Sequence, residues 1–440
     1  MIAFLKKVRV KTIFSIFQPV KVEPLELCYL KSVLNNMNVE NYLIDDLFNL
    51  KEPNNIIPDI IILTGYNVAE NEIIKEARIY KFKFPKSKII VGGVHIAGNA
   101  HSFHIKEIDY VFHSQSLNTF KLLIEKIIND SDTLFSHGVD TLIINKRLMN
   151  WHIGNKESIK KIENIEPDRQ LFYQMSYKLR YLEKRNIALI KGSIGCPYNC
   201  SYCYCKILNN NHYVRADFNK ILNEIEKINA EFFWIVDDNL FNQRQDALNF
   251  IEEIEKRNLK VKIIGYLRAD FILKNSDLLR KLKNTGLVEV IVGFEAISND
   301  ELKKYDKGTN ALDYPKVILL LKENNIDLTA LFMVKPNYRF HDFRNLYKFI
   351  KENNIDIYTI SILTPIKGTK DYELLKDNLL THDPRKFDFM HLVEKSKLPK
   401  WIFYSLFYFL HINLLKSKRV RKYISNRRHY EFENMEFLGK

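Results

Sequence analysis

Two runs of alternating apolar segments and helical patterns limit what this chain can fold into. The first run covers residues 1–130 and includes the apolar segment Ile60–Leu63, followed by the amphipathic pattern Asn71–Phe82. The second run starts at Ala188 and contains six such units up to Leu363. Strands that alternate with helices form parallel sheets, and these bind ligands at the carboxyl ends of their strands. We therefore predict an α/β protein with two ligand-binding edges.

The two runs suggest four segments. Residues 1–130 are predicted to form a Rossmann-like domain, with its first strand over Val8–Ile16, and residues 131–187 to connect it to the next domain. Residues 188–374 are predicted to form a partial (β/α)6 barrel, open on one side because it has six units and not eight. Residues 375–440 are predicted to be a helical, basic C-terminal region that caps the barrel mouth.

Four of the five cysteines lie within ten residues, directly after the first strand of the second run. Cys196, Cys200 and Cys203 have the spacing C-x3-C-x2-C, and Cys205 follows them. Three thiolates on one short loop can hold three corners of a 4Fe-4S cluster and leave one iron open. A zinc ribbon would need a second cysteine pair elsewhere in the chain. We predict Cys196, Cys200 and Cys203 as the cluster ligands, and Cys205 as a bystander thiol or a reactive group.

This loop resembles the signature loop of the radical SAM superfamily, with Tyr202 as the aromatic residue before the last cysteine. Four segments at later strand ends resemble the family in the same order. They are Trp234–Asn239, Leu267–Asp270, Val292–Glu295 and Thr364–Thr369. Val334–Tyr338 departs from the family because it lacks the two glycines usual after the fifth strand.

The resemblance implies a site for S-adenosylmethionine (SAM) at the open iron. The implied SAM-binding residues are Tyr202 near the adenine, Asp237 and Asp238 near the methionine amino group, Arg268, and Glu295 at the ribose. One electron from an external reductant, such as flavodoxin or ferredoxin, would break the sulfonium bond and give a 5′-deoxyadenosyl radical.

The N-terminal half resembles the cobalamin-binding domain that precedes the barrel in one large radical SAM subfamily. The similar segments are Glu23–Leu30, Pro58–Tyr66, Val91–His95, Ile108–Val111 and, in the connection, Glu166–Arg169. The resemblance implies cobalamin contacts from strand ends, at Tyr66, Asn67, Gly92, Gly93, Val94, His95 and Ser114. Glycines there allow backbone to approach a flat ligand, although an ordinary tight turn would also explain them. Glu26 and His113–Ser116 depart from the subfamily, where glycines are usual.

The resemblance therefore implies a radical SAM enzyme with a 4Fe-4S cluster, SAM and cobalamin as cofactors. Methylation of an unactivated carbon is the leading function. Radical oxidation or cyclisation without methyl transfer is the alternative, because anaerobic magnesium-protoporphyrin cyclases share the resemblance. A non-catalytic iron–sulfur or cobalamin carrier is a third interpretation. The expected substrate is a small or lipid-like molecule, since fold-level similarity identifies no particular one.

The net charge of +14 is concentrated near the C-terminus, where Lys416–Arg428 is strongly basic. Such a segment fits nucleic acid, an anionic membrane, an acidic substrate or simply a solvated surface. The preceding stretch Trp401–Leu415 is apolar but shorter than the roughly 20 residues that span a bilayer. The N-terminus lacks a signal-peptide pattern. We expect a cytoplasmic protein with no nucleic-acid partner, whose apolar stretch either closes the barrel as a core helix or contacts a membrane surface.

Overall fold

The computed structural model describes residues 1–10, 18–129, 139–145, 150–155 and 159–426. Most of the predicted first strand, Val8–Ile16, lies outside these residues, as does the basic tail from Arg427 onward.

The N-terminal part forms a seven-stranded sheet in the order β3-β1-β4-β5-β6-β8-β7, in which only β7 runs antiparallel to its neighbour. The elements of this part are β1 (Ile2–Lys7), β2 (Val20–Lys21), α1 (Leu25–Asn36), β3 (Glu40–Ile44), β4 (Ile60–Thr64), α2 (Glu70–Lys83), β5 (Lys88–Gly92), α3 (Val94–Gly98), β6 (Tyr110–Phe112), α4 (Leu117–Ile128), β7 (Val139–Asn145) and β8 (Asn150–Asn155).

Two details differ from the sequence-based expectation. The first strand covers Ile2–Lys7 instead of starting at Val8. Ala3, Phe4 and Leu5 are buried in the sheet, and their burial outweighs the presence of two lysines at the end of the strand. The stretch that we assigned to the connection contributes β7 and β8, which extend the sheet beyond β6. Secondary-structure propensity alone misses such edge strands, because it takes no account of the neighbouring strand with which they pair.

The second part is a six-stranded parallel sheet whose strands follow chain order, β11-β14-β15-β16-β17-β18, which confirms the predicted α/β class. Its elements are α5 (Gln170–Met175), β9 (Arg180–Tyr181), β10 (Lys184–Arg185), β11 (Ile187–Ile190), β12 (Ser193–Ile194), β13 (Val214–Arg215), α6 (Phe218–Glu226), β14 (Phe232–Ile235), α7 (Arg244–Lys256), β15 (Ile263–Tyr266), α8 (Ala269–Lys274), α9 (Leu279–Asn284), β16 (Leu287–Glu295), α10 (Asn299–Lys304), α11 (Tyr314–Glu323), β17 (Asp327–Val334), α12 (Phe340–Glu352), β18 (Ile357–Ile362), α13 (Lys370–Leu375) and α14 (Lys400–Leu414).

Helix α14 packs against the edge of this barrel. Phe403 and Phe407 are fully buried, and the Phe403 ring meets the ring of Phe343 of α12 edge-on at 5.2 Å. The hydroxyl of Tyr358, on the edge strand β18, donates to the carbonyl of Leu410 at 2.7 Å. No helix in the described ranges is both long and apolar enough to cross a bilayer. The apolar stretch therefore covers the side of the barrel and not its mouth.

The C-terminal helix over residues 418–426 lies at the other end of the barrel, where the strands begin. Arg419 donates to both carboxylate oxygens of Glu289, at 3.0 and 2.8 Å, near the start of β16. Lys184 also pairs with Glu289, which is completely buried. At least one member of the basic segment is thus a buried ion-pair partner and not a solvated charge.

Candidate active site

The carboxyl ends of the two parallel sheets enclose two adjoining cavities. The larger, of about 740 Å³, lies at the mouth of the barrel, and the smaller, of about 420 Å³, lies at the edge of the N-terminal sheet. The residues that line both of them are Leu25, Glu26, Tyr66, Tyr204, Val236 and Asp238. Ligands bound in the two cavities would therefore contact one shared wall.

The loop after β12 places Cys196, Cys200 and Cys203 on the wall of the larger cavity, together with Cys205. Gly195 allows the loop to begin, because its φ of +77° is unfavourable for other residues and a Cβ would overlap the carbonyl of His212. No group of three His, Cys, Asp or Glu side chains in the described ranges is already arranged as a metal site. The loop thus gathers the thiols along one cavity wall.

The four thiols differ in acidity. Burial raises the pKa of Cys196 to about 11 and also raises that of Cys200. A hydrogen bond from the Cys205 thiol lowers the pKa of Cys203, whereas the same bond raises that of Cys205. Buried thiolates need a compensating positive charge, which a metal centre supplies.

A buried ion pair lies opposite the cysteines, at the end of β16. The Lys307 ammonium donates to Glu295 Oε1 at 2.9 Å and to the Tyr202 hydroxyl at 3.4 Å. Burial alone would lower the pKa of Lys307, but the Glu295 carboxylate outweighs it and the pKa is raised. Burial, followed by the Glu295 charge, raises the pKa of Tyr202. Lys307 therefore fixes the position of the Glu295 carboxylate beside the cysteine loop.

The backbone of Glu295 is strained. Its φ is +65°, and the register between β16 and β17 shifts between Gly293 and Glu295. Such a conformation costs about 1–3 kcal/mol and persists only where surrounding contacts impose it. Here Lys307 supplies the contact, and Gly293 leaves room for it, since a Cβ at that position would lie 3.0 Å from Lys307 Nζ. The strain aims the Glu295 carboxylate into the cavity.

Arg268 joins the same cluster from the end of β15. Its Nη2 donates to the Lys307 carbonyl at 2.6 Å and its Nε to Asp270 at 2.9 Å. The guanidinium lies 3.8 Å from the centre of the Tyr198 ring, on the cysteine loop. Arg268 thereby ties the cysteine loop to the end of β15 and to Lys307.

The two adjacent aspartates after β14 have different positions. Asp237 is completely buried, and its Oδ1 accepts from the amides of Gly192 and Ser193 at 2.7 and 2.9 Å. It supports the backbone that leads into the cysteine loop, and it is absent from the described lining of both cavities. Asp238 lies on the shared wall, and its Oδ2 is buried without a hydrogen-bond partner among the described residues. Of the two aspartates, Asp238 is the one that lines the cavities, although Asp237 Oδ2 is also buried without a hydrogen-bond partner among the described residues.

The smaller cavity is an apolar slot that reaches the strands of the N-terminal sheet. Its lining includes Gly92, Gly93, Val94 and Ser114, together with Tyr66 from the shared wall. The slot continues between α1 and α4, where the lining side chains are Leu30, Ile62, Ile90, Phe112, Leu117 and Phe120. Such a slot suits a flat apolar or heteroaromatic group.

Two residues predicted for this edge face elsewhere. The Asn67 side chain donates to the Phe387 carbonyl at 2.5 Å, and so attaches the N-terminal part to the C-terminal region. His95 Nε2 lies 2.7 Å from Glu70, which also accepts from Lys367 at 3.1 Å. Neither Asn67 nor His95 belongs to the described lining of the two cavities. Both side chains serve contacts within or between the two halves.

Gly93 has a structural requirement of its own. Its φ is +114°, and a Cβ there would lie 2.5 Å from the Thr64 hydroxyl. The glycine is therefore required by its own backbone conformation and by β4, whether or not a ligand lies above it.

Comparison with known proteins matches one part of this arrangement to a family model. Residues 190–350 match the model of the Radical SAM superfamily. This matched segment, which lies in the barrel part of the chain, is similar to the Radical SAM superfamily. The matched stretch begins at the end of β11 and includes the cysteine loop, Asp238, Arg268, Glu295 and Lys307.

The curated relatives of this chain are named for different activities. The chain is 27% identical over 239 residues to hopanoid C-3 methylase of Methylococcus capsulatus, covering 54% of this chain and 46% of the relative. It is 28% identical over 247 residues to anaerobic magnesium-protoporphyrin IX monomethyl ester cyclase of Cereibacter sphaeroides, covering 54% and 40%. The chain thus spans less than half the length of these two curated relatives.

A solved structure shares the two-part fold. It is the radical S-adenosylmethionine methyltransferase TsrM of Kitasatospora setae, with cobalamin and a [4Fe-4S] cluster bound. The TM-score is 0.64 at 14% identity, over 86% of this chain and 75% of that one. This likeness confirms the fold, an N-terminal Rossmann-like sheet in front of a radical SAM barrel.

Several residues that line the cavities were not predicted from the sequence. Lys307, Tyr198 and Tyr204 line the larger cavity, as do Lys7 and Glu26, which form an ion pair beneath the Tyr66 ring. Lys307 follows Asp306 in an ordinary charged stretch, so no local pattern marks it. Glu26 did carry a signal in the sequence, because it is a carboxylate at a position where the similar family segment has glycine.

Proposed function

We propose that this chain is an enzyme that reductively cleaves SAM and, with cobalamin, methylates an unactivated carbon. One observation carries the proposal. The cysteine loop, Asp238, Arg268 and Glu295 all line one cavity, and that cavity shares a wall with the slot at the other sheet edge. Two ligands held in these places would be neighbours.

The donor set fits a cluster with one open iron. Cys196, Cys200 and Cys203 are soft thiol ligands on one short loop. Cys205 is engaged by Cys203 and Asp238, which favours three ligands from this loop over four. Arg268 and Lys307, close behind, place positive charge near the thiolates.

The polar groups around the cluster position fit SAM. Asp238 Oδ2, which is buried and has no hydrogen-bond partner in the part of the chain that the structure describes, can accept from the methionine ammonium. Glu295, fixed by Lys307, can accept from ribose hydroxyls, and the Tyr202 ring can pack against adenine. Asp237 supports the loop and does not bind the ligand in this proposal.

The apolar slot fits the heteroaromatic base of the nucleotide tail of cobalamin, and Tyr66, Val94 and Ser114 surround its entrance. When bound, the cluster supplies the electron that splits the sulfonium bond of SAM, and cobalamin supplies the methyl group. The chain's own part is to hold both ligands against the shared wall and to exclude water with its tyrosines.

A second function has support of its own. The similarity to the protoporphyrin cyclase and the polar stretch His113–Ser116 beside the slot favour radical oxidation or cyclisation without methyl transfer. The two functions differ in their SAM products. Methylation yields S-adenosylhomocysteine besides 5′-deoxyadenosine, whereas the second function yields 5′-deoxyadenosine alone.

The test is anaerobic reconstitution of the full chain with iron, sulfide and hydroxocobalamin, followed by reduction in the presence of SAM. A flavodoxin system would serve as the one-electron reductant. We expect 5′-deoxyadenosine and a corrin absorption band that persists after gel filtration. Bound iron without 5′-deoxyadenosine would contradict the enzyme proposal, and absence of corrin would leave the cobalamin-free function.

We also propose that the C-terminal region contacts a membrane surface, which would suit a lipid-like substrate. Trp401, Phe409, Ile412 and Leu415 form an exposed apolar stripe along α14, with Lys416 beside its end. An apolar stripe flanked by basic residues suits an anionic bilayer surface. Sedimentation with vesicles of phosphatidylglycerol and phosphatidylcholine should exceed that with phosphatidylcholine alone, and Ile412→Glu should remove the difference.

A further inference from the structure

Arg9 lines the larger cavity. It follows β1, and its side chain is about one quarter exposed. Its Nε and Nη2 donate to the two oxygens of Asp45, at 2.6 and 2.7 Å. Asp45 is completely buried and also accepts from the Leu47 amide at 3.0 Å. A buried carboxylate thus grips one edge of the guanidinium.

An arginine held in this way is preorganised. A guanidinium has five N–H donors in a fixed plane, and the Asp45 carboxylate uses only one edge. The other edge is then available in the cavity at little further entropic cost. Arginine in this arrangement recognises carboxylates and phosphates through two parallel hydrogen bonds.

The surroundings add positive charge and apolar contact. Burial, and then the charges of Arg180 and Lys178, lower the pKa of Lys21 to about 8; the Arg9 charge acts in the same direction, and the Asp45 charge opposes it. Lys7 is balanced by Glu26. The cavity lining also contains a group of apolar residues, among which stand Glu23 and Glu26: Val20, Val22, Pro24, Leu25 and Leu47.

We propose that Arg9 binds an anionic group, carboxylate or phosphate, of an apolar substrate whose reacting carbon points toward the cysteine loop. This inference rests on the proposed function, which it deepens by naming the substrate class. Arg9 acts as a specificity-determining residue, because an apolar molecule without the anion would displace water from its free edge and leave that edge unpaired.

The test uses three ten-carbon probes that share a chain and differ in the head group: decanoate, decyl phosphate and decanol. Their dissociation constants for the reconstituted full chain are measured by equilibrium dialysis. A charge-assisted hydrogen-bonded pair should make at least one anionic probe bind about tenfold or more tightly than decanol. The carboxylate and phosphate arms show which head group is preferred.

The test variant is Arg9→Gln combined with Asp45→Asn, so that no buried charge is left unpaired and the Leu47 amide keeps its acceptor. The matched control is Arg244→Gln with Asp277→Asn, a similar two-bond pair on the exposed surface of α7. We expect the first variant to lose the preference for the anion and the second to keep it.

Equal binding of decanol and both anions by the unaltered protein would overturn the inference, as would an anion preference that survives in the Arg9 variant. Production of 5′-deoxyadenosine, measured separately without probe, reports on the proposed function. If the unaltered protein forms no 5′-deoxyadenosine but prefers the anionic probes, the proposed function is wrong and the anion site remains.

Discussion

The two sheet edges that face each other are built from different chemistry. The barrel edge is crowded with paired charges, where Lys307, Glu295 and Arg268 bond to one another and to the loop. The edge of the N-terminal sheet has glycines and a mainly apolar slot, and two of its polar residues, Asn67 and His95, turn toward other parts of the chain.

The difference teaches what each edge can hold. A small charged ligand such as SAM needs fixed charges, because desolvating its ammonium and carboxylate is costly unless partners already stand in place. A large flat ligand gains chiefly from apolar area and shape, so an edge that binds one needs space more than charge. We therefore expect changes at the charged barrel edge to affect SAM cleavage, and changes at the slot to affect cobalamin.

The largest effect should come from the cysteine loop. Cys196→Ala, Cys200→Ala or Cys203→Ala should each abolish 5′-deoxyadenosine formation, because a three-ligand cluster has no spare thiolate. Iron analysis should find about four irons per unaltered chain and far fewer in each variant. Cys205→Ala and the distant, buried Cys28→Ala are controls that should keep their iron. Loss of iron from Cys205→Ala with retention in one of the three would refute the ligand assignment.

The second largest effect should come from the ion pair at the barrel edge. Lys307→Ala leaves Glu295 buried without its cation, which should cost about 3–5 kcal/mol of stability and weaken SAM binding by roughly tenfold or more. Denaturant unfolding and a SAM titration measure the two effects. The matched control Lys262→Ala breaks an exposed pair with Glu231 and should cost about 0–1 kcal/mol. Unchanged SAM affinity in Lys307→Ala would show that the pair serves the fold alone.

The third prediction separates the two edges. Val94 lines the slot and is partly exposed, so Val94→Trp should fill the entrance without disturbing the sheet. We expect this variant to lose bound corrin while still making 5′-deoxyadenosine. Gly93→Trp is a poor test, because any side chain at Gly93 meets Thr64 and a φ of +114°. Normal corrin content in Val94→Trp would contradict the placement of cobalamin in the slot.

The smallest effect concerns the contact between the halves. Glu70 accepts from His95, Asn99 and Lys367. Burial alone would raise the pKa of Glu70, but the His95 hydrogen bond and the Lys367 charge lower it below its usual 4.5. A lowered folded-state pKa stabilises at neutral pH, and this stability is lost as pH falls below about 4.5. Glu70→Gln should cost about 1–3 kcal/mol at pH 7, and the difference from the unaltered protein should shrink in acid. Urea unfolding at several pH values measures this, and a difference independent of pH would contradict it.

Much of the fold could be predicted from the sequence because the signal is local. Strands such as Asp327–Val334 are short apolar runs, and the helices between them have strong amphipathic patterns. The errors fell where pairing partners decide. The first strand begins at Ile2 because its neighbours β3 and β4 bury it, and β7 and β8 exist because β6 offers an edge.

The sequence alone determined the cysteine loop, since its spacing is a property of one short segment, and it also pointed to Tyr202, Asp238, Arg268 and Glu295. Only the tertiary structure decided which neighbours act differently, such as Asp237, which supports backbone while Asp238 faces the cavity. It also decided that Lys307 fixes Glu295 and that Asp45 orients Arg9. Motifs record covalent spacing, whereas the charge state and direction of a buried side chain depend on partners brought together only by folding.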